Sequence, residues 1–335
     1  MISLSILAVV VAITMSLLVA GINLSRRGRE ISDANENARL AGETLTNALQ
    51  AAGLGMAGGL YVSHAGVVVN TSPIIIINNT AGPDELWVAR PHRNALAQSC
   101  VDEGAATTVQ KSGFGTLFVR CSAGLTAANL SGLGAPNMLM ATNMKSAALL
   151  SAPTFTVFGA GQNITYTESG AGYADDPVRG FLKGDLVMPV RLEHYFIGNA
   201  TDGVPCLMMQ PGVVGTVANG FANVGVPRVI QRGVEDIQFA AGFDPGLTGD
   251  PANITLSSTA VGPTFVPGLR SIRVSVLSRS ALRLLDASGH PITTSPDLAP
   301  RTLEDHVIGA PVPDGFRRTL YSRRVELVNL ASEQL

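Results

Sequence analysis

Residues 1–30 read MISLSILAVVVAITMSLLVAGINLSRRGRE, and residues 31–59 continue ISDANENARLAGETLTNALQAAGLGMAGG. No charged residue stands between Met1 and Ser25, and then Arg26, Arg27 and Arg29 come together. The charge-free run matches the length that a bilayer-spanning helix needs, on the order of 20 residues. A secretory h-region is shorter and ends at a small-residue cleavage site, for which LLVAGINLS is a loose match. From residue 31 the apolar positions are Ile31, Ala34, Ala38, Ala41, Leu45, Ala48 and Ala52, a three-four alternation that predicts one face of an amphipathic helix. Most of these side chains are small, so whatever packs on them comes close. Glu30, Asp33, Glu36, Asn37, Glu43, Asn47 and Gln50 are expected on the opposite face. Gly53-Leu54-Gly55-Met56-Ala57-Gly58-Gly59 then stops the helix, because glycine costs about 1 kcal/mol per residue in a helix interior. The expected element is one helix of about 50 residues, roughly 75 Å long at 1.5 Å per residue. Three segments follow: 1–24, a transmembrane or assembly half-helix; 25–57, an amphipathic half-helix; and 58–335, a β-rich globular domain.

The same glycines match the pattern GxGxxG. A dinucleotide-binding fingerprint follows a strand and opens a helix. Here it ends a helix and leads into LYVSHAGVVVN, which reads as strand, so a helix stop explains it better.

The chain of 335 residues is 46 % hydrophobic, has few aromatics and carries a formal charge of −2, which speaks against disorder and against an electrostatic nucleic-acid binder. Scattered glycine and proline suit many short strands and turns. Strand-like runs include GVVVN, PIIIINN, ELWVAR, GTLFVR, NITYT, GDLVMPVRLEHYFI, VEDIQFAAGFD, LRSIRVSVLSRS and RTLYSRRVELVNL. In the eighth of these, Ile272, Val274 and Val276 alternate with Arg273, Ser275 and Leu277, as expected of antiparallel strands with one face on a core. PRVIQRGVEDI has room for a short helical turn, and Ala123–Gly134 and Val213–Gly225 read as long loops. The fold class expected is α+β.

Catalytic chemistry is thinly represented. His64, His92, His194, His290 and His306 are scattered, with no HExxH, GxSxG or P-loop. The adjacent acids Asp175-Asp176, Glu235-Asp236 and Glu304-Asp305 point to opposite faces if they lie in strands. Asp244 and Asp250 make only a generic calcium candidate, and the Asn-x-Ser/Thr triplets carry meaning only in a eukaryotic secretory context. No cofactor or metal site is expected.

A charge-free helix running into an amphipathic half and then a β domain resembles type IV pilins and type II secretion pseudopilins. ISLSILAVVVAITMSLL is similar to the segment after the prepilin motif G-F-T-L-x-E-L-M. ENARLAGETLTNALQAAGLGMAGG resembles the PilW-family helix end, VIQRGVEDIQFAAGFD its G-V-E-D strand entry, and LRSIRVSVLSRS and FRRTLYSRRVELVNL its late strands. Residues from about Val62 to Ala174 carry no such motif. In the family alignment Met1 falls at about the seventh mature position, so a basic leader and a G-F-x-x-x-E segment are expected upstream of it, the alternative being that Met1 is itself the first mature residue and Ser5 replaces the family's glutamate; the leader would also reverse the orientation that Arg26, Arg27 and Arg29 imply by the positive-inside rule. The helix proline of many major pilins is absent, the first proline being Pro73.

The resemblance implies a pilin-like fold, a long N-terminal helix packed on an antiparallel sheet domain with long loops. It implies a minor pilin of the PilW type, a non-enzymatic subunit of a priming and tip complex. Implied partners are other minor pilins, the major pilin and a PilY-type tip adhesin. Implied locations are the inner membrane before assembly, with the domain in the periplasm, and the pilus tip afterwards. A type II secretion minor pseudopilin and a membrane-anchored periplasmic ligand-binding protein are the rival readings.

Three cysteines, Cys100, Cys121 and Cys206, have no metal-type spacing. Cys100 and Cys121 are near enough in sequence to pair if the domain lies in an oxidising compartment; three buried thiols, or a pair involving Cys206, are the alternatives. Closing a loop of about 20 residues stabilises by roughly 3 kcal/mol if unstrained. The expectation is a Cys100–Cys121 disulfide with Cys206 free. Non-reducing peptide mapping of periplasmically exported protein checks it, and a crosslinked peptide containing Cys206, or three alkylatable thiols, contradicts it.

Overall fold

A computed structural model of the chain describes residues 2–64, 67–91, 99–100, 115–119, 138–145, 147–151, 154–158, 161–166, 168–169, 184–214, 221–247, 250–283, 302–307 and 315–331. One helix, Ile2–Ala51, runs for 50 residues. Helical structure ends at Ala51, short of the expected boundary at 57, because Gly53 and Gly55 take φ of 72° and 74°, a left-handed conformation that costs glycine nothing. The Gly53 N–H leaves the helix pattern and donates to Ala89 O at 3.2 Å, tying the helix end to a strand.

Among the described residues the largest sheet has twelve strands. Its hub is Leu186–Asn199, which pairs antiparallel with Glu85–Pro91, Met138–Thr142 and Pro205–Val214. One pairing is parallel, Leu60 beside Ala147, against the expectation of an antiparallel sheet. A four-stranded antiparallel sheet follows in the order Thr255–Ser257, Val234–Phe243, Leu269–Arg279, Arg318–Glu326. PRVIQRGVEDI forms no helical turn: Arg228–Arg232 and Val234–Phe243 are both strands. Part of Val213–Gly225 is likewise strand, at Phe221–Asn223. Ala123–Gly134 lies outside the described residues.

Ile74, Ile75 and Ile76 of the PIIIINN run are buried for a reason that alternation alone does not reveal, while Ile77 is exposed. Ile74 and Ile76 belong to one buried cluster, with Leu86, Val88, Phe239, Ile272, Val274 and Val276, while Ile75 belongs to another, with Trp87, Ala89, Met140 and Leu149. Here the large sheet is covered on both faces, so a continuous apolar run replaces the alternation that a half-solvated strand shows. The same correction applies to Leu269–Arg279: Ser275 and Leu277, expected on the wet face, are both buried.

The first cluster also takes in Ala41, Leu45, Ala48, Leu49 and Ala52 of the helix. Asp84 sits buried where the two sheets meet. Its carboxylate accepts the Asn79 and Phe239 backbone N–H groups at 2.8 and 2.9 Å, and its own N–H donates to Ile237 O at 2.9 Å. Burial pushes its carboxyl up to about 6, against the pull of those two N–H groups. A folded value above the unfolded one means that the stabilisation is complete below about pH 4 and is lost as pH rises through about 6. Urea unfolding should therefore show stability falling by up to about 3 kcal/mol from this group between those limits. Asp84→Asn should flatten that slope, and an unchanged slope in the variant would contradict the assignment.

Candidate functional site

The long helix divides into two unlike halves. In the first, the described apolar side chains, among them Leu7, Val9, Ile13, Leu17, Leu18 and Ile22, are exposed on all sides. The polar Thr14 needs no outside partner: its hydroxyl donates back to Val10 O at 2.6 Å and shares Val11 O, which satisfies it within the helix. Among the described residues, no helix is long and apolar enough to cross a membrane.

In the second half Ala34, Ala38, Ala41, Leu45, Ala48 and Ala52 are at most 1 % exposed. Ile31 departs from the expected stripe at 39 % exposed, and Glu30, expected to face water, is buried. Counting about 100° per residue from Ala41, Glu30 falls roughly 20° from the centre of the buried face and Ile31 roughly 80°. At this end of the helix the covered strip is narrow, so only the central position is enclosed. Toward the C-terminal end the strip widens, and Gly42, Thr46 and Leu49 are buried beside the alanines. Sequence reasoning missed this second ridge, because glycine and threonine carry no apolar signal.

Of the helix glycines Gly21, Gly28 and Gly42, only Gly42 is closely covered. A methyl group there would overlap Cε1 and Cδ1 of Tyr321, so the ring lies directly on the helix backbone. Polar ties frame the contact. The Ser278 hydroxyl donates to Ala34 O, Gln231 Nε2 donates to Asn37 Oδ1 at 2.7 Å, and Asn329 Nδ2 donates to Gln50 O and Ala52 O at 2.8 and 3.1 Å.

Two histidines are built into polar clusters. His194, buried, stacks on Trp87 with ring centroids 4.2 Å apart. Its Nε2 lies 2.8 Å from Glu85 Oε2 and its Nδ1 2.9 Å from Asn223 Oδ1. The His194 hydrogen bond holds the Glu85 carboxyl below its ordinary range. His306 Nδ1 lies 2.6 Å from Asp236 Oδ2. Among the described residues, neither ring has a hydroxyl or thiol among its hydrogen-bond partners. On the helix-facing side of the large sheet Arg90 Nη2 and the Tyr195 hydroxyl both donate to the buried Glu193 carboxylate, at 2.6 and 2.8 Å. Burial, then the Glu193 charge, pushes the Tyr195 phenol up.

Of the adjacent acids, Glu235 and Asp236 fall as strand geometry requires, Glu304 and Asp305 stand in a turn, and Asp175-Asp176 lies outside the described residues. Glu235 receives Arg279 and Arg318, while Asp236 turns inward to His306. Asp244 is buried with Arg270 Nε 4.0 Å away, and Asp250 Oδ1 accepts the Ala252 N–H at 2.9 Å. Among the described residues, no group of three or more His, Cys, Asp or Glu side chains is arranged to hold a metal ion. Cys206 is a buried free thiol that donates to Val204 O at 3.1 Å. Cys121 lies outside the described residues, and the Cys100–Cys121 pairing with it.

No protein-family model matches the sequence. No curated protein matches it significantly. Among solved structures, a type IV-like pilin from Thermus thermophilus is similar to this chain at 11 % identity, with 88 % of this chain and 97 % of that one covered and a TM-score of 0.37.

Ala41→Leu and Gly42→Ala should each lower the stability of the full chain in detergent by about 1–3 kcal/mol, through overpacking. For Gly42→Ala the loss should appear despite alanine's better helix propensity, worth about 1 kcal/mol. Chemical unfolding checks both, and unchanged midpoints would show that the ring and strands are not seated on this face.

Proposed function

We propose that the protein is a minor pilin of the PilW type, a structural subunit of a type IV pilus priming and tip complex that initiates assembly and supports adhesin display. One observation carries the reading: a single continuous helix buries a small-residue ridge in its second half, while the described apolar side chains of its first half are exposed on all sides. An all-round apolar helix needs lipid or other apolar helices about it. The order of the PilW-like segments along the chain adds support.

The working cycle follows from this division. Before assembly the first half-helix sits in the inner membrane and the β domain in the periplasm. On assembly the half-helix leaves lipid for the packed helices of neighbouring subunits, and the β domain is presented at the tip. Its partners there are other minor pilins, the major pilin and a PilY-type adhesin. The role is structural and not enzymatic. A second reading, a minor pseudopilin of type II secretion, shares the same half-helix and differs in the assembly served.

Ala12→Arg places a guanidinium within the apolar half at a cost of about 2.5–3.5 kcal/mol in hydrocarbon. Surface piliation counted by electron microscopy should drop sharply, with the β domain still folded by circular dichroism. Normal piliation with lost protein secretion would favour the pseudopilin. Normal piliation and secretion would leave a monomeric anchored protein and overturn both readings.

A further inference from the structure

Ser278 and Asn329 fix how the four-stranded sheet lies along the helix. The Ser278 hydroxyl donates to Ala34 O, while Asn329 Nδ2 donates to Gln50 O and Ala52 O. Leu269–Arg279 and Arg318–Glu326 are antiparallel neighbours, with Arg279 opposite Arg318. The last residues of the first strand and the first residues of the second therefore lie together at the Ala34 end of the helix, toward its exposed apolar half. Leu24 of that half is 72 % exposed, and about 15 Å of helix separates it from Ala34 at 1.5 Å per residue.

Arginine crowds this end of the β domain. Arg279 and Arg318 share one carboxylate: Arg279 Nη1 lies 3.4 Å from Glu235 Oε1, and Arg318 donates to both Glu235 oxygens at 2.6 and 3.1 Å. Arg279 Cζ also sits 4.2 Å from the centre of the Phe316 ring, and Arg283 Cζ 5.0 Å from it, both within range of cation–π attraction. Phe316 is buried and Arg283 is exposed. On the helix Arg29 is exposed, and Arg26 and Arg27 precede it in the sequence. Among the described residues, the acids at this end offer little balance. Glu235 is divided between two guanidiniums, Asp236 turns inward to His306, and Asp202 pairs with Arg232. Glu30 is buried, which leaves Asp33 exposed on the helix. Two guanidiniums held over one ring repel each other, and an anion between them relieves that repulsion. A phosphodiester presents the paired oxygens that the guanidinium fork matches.

We propose that this arginine end of the β domain seats on the anionic phospholipid headgroups of the bilayer that holds the first half-helix, with Arg279 and Arg283 facing phosphate. The seating presupposes that the half-helix occupies a bilayer, the reading given above. The distances allow it. Headgroups extend roughly 5–8 Å beyond the hydrocarbon on each side. Attraction of arginine to an anionic surface acts over a further Debye length, about 8–10 Å. Together these span the helix between Leu24 and Ala34. The exposed apolar half and the arginine end are thus continuous parts of one membrane-facing surface, and the contact sets the height and tilt of the β domain before assembly.

The full chain reconstituted in vesicles of phosphatidylcholine, with or without phosphatidylglycerol, tests the seating by flotation and by hydrogen exchange. The chain should float with both kinds of vesicle. Amides 280–283 and 316–319 should exchange at least tenfold more slowly with phosphatidylglycerol present. Glu85–Pro91, tied to the far end of the helix through Gly53, should not change. Salt at about 1 M, where the Debye length is about 3 Å, should remove the difference. Arg283→Gln should cut the added protection about fivefold, the share of one arginine near an anionic surface. Arg324→Gln removes the same charge toward the other end of its strand and should leave the protection intact. Failure to float with either vesicle overturns the membrane reading and the seating together. Flotation with both and equal exchange in both overturns the seating alone. So does equal slowing by inorganic phosphate in phosphatidylcholine vesicles, which would mark a site for a free anion. If Arg283→Gln does not fold, the lipid and salt comparisons on the unaltered chain still decide.

Discussion

The Tyr321 ring resting on the backbone of Gly42, with Ala38, Ala41 and Ala48 alongside, sets how near the long helix lies to the strands, and the rest of the fold is arranged around that distance. Small side chains bring helix and strand backbones close together, and at that separation dispersion acts over many atoms at once. The cluster that results spans helix, large sheet and four-stranded sheet, from Leu45 through Leu86 to Val274. Any enlargement at the ridge has to be accommodated by all three, because interiors are packed at crystal-like density.

The same contact explains why the helix has two characters. The helix runs for 50 residues, and its buried positions lie in the second half. Its second half is committed to the strands, while the described apolar side chains of the first half stay exposed. An exposed surface of that extent marks an interaction site.

Polar groups gather where apolar packing cannot close the seams. Asp84 satisfies two backbone N–H groups from inside the junction of the sheets, and Glu193 holds Arg90 and Tyr195 on a buried strand face. Such groups fix which strands meet, because a buried carboxylate displaced from its donors loses far more than a methyl group displaced from its neighbours.

The helical stripe at Ala34, Ala38, Ala41, Leu45, Ala48 and Ala52 and the glycine stop at Gly53 were legible in the sequence, because both arise from periodicity and backbone freedom within a few residues. Strand positions were legible for the same reason, as at VEDIQFAAGFD and LRSIRVSVLSRS. The widening of the buried strip to Gly42, Thr46 and Leu49, the burial of Glu30 and the exposure of Ile31 were not, since they depend on where the sheet begins and ends beneath the helix. Nor were the polar clusters: His194 and Glu85 are 109 residues apart, and Asp305 and Asn78 are 227 apart. Local chemistry determined which segments become helix and strand and where they stop. Only the tertiary structure decided which charged groups share a seam, because those partners meet through strand pairing across the chain, and a pattern confined to one segment carries no information about its distant neighbours.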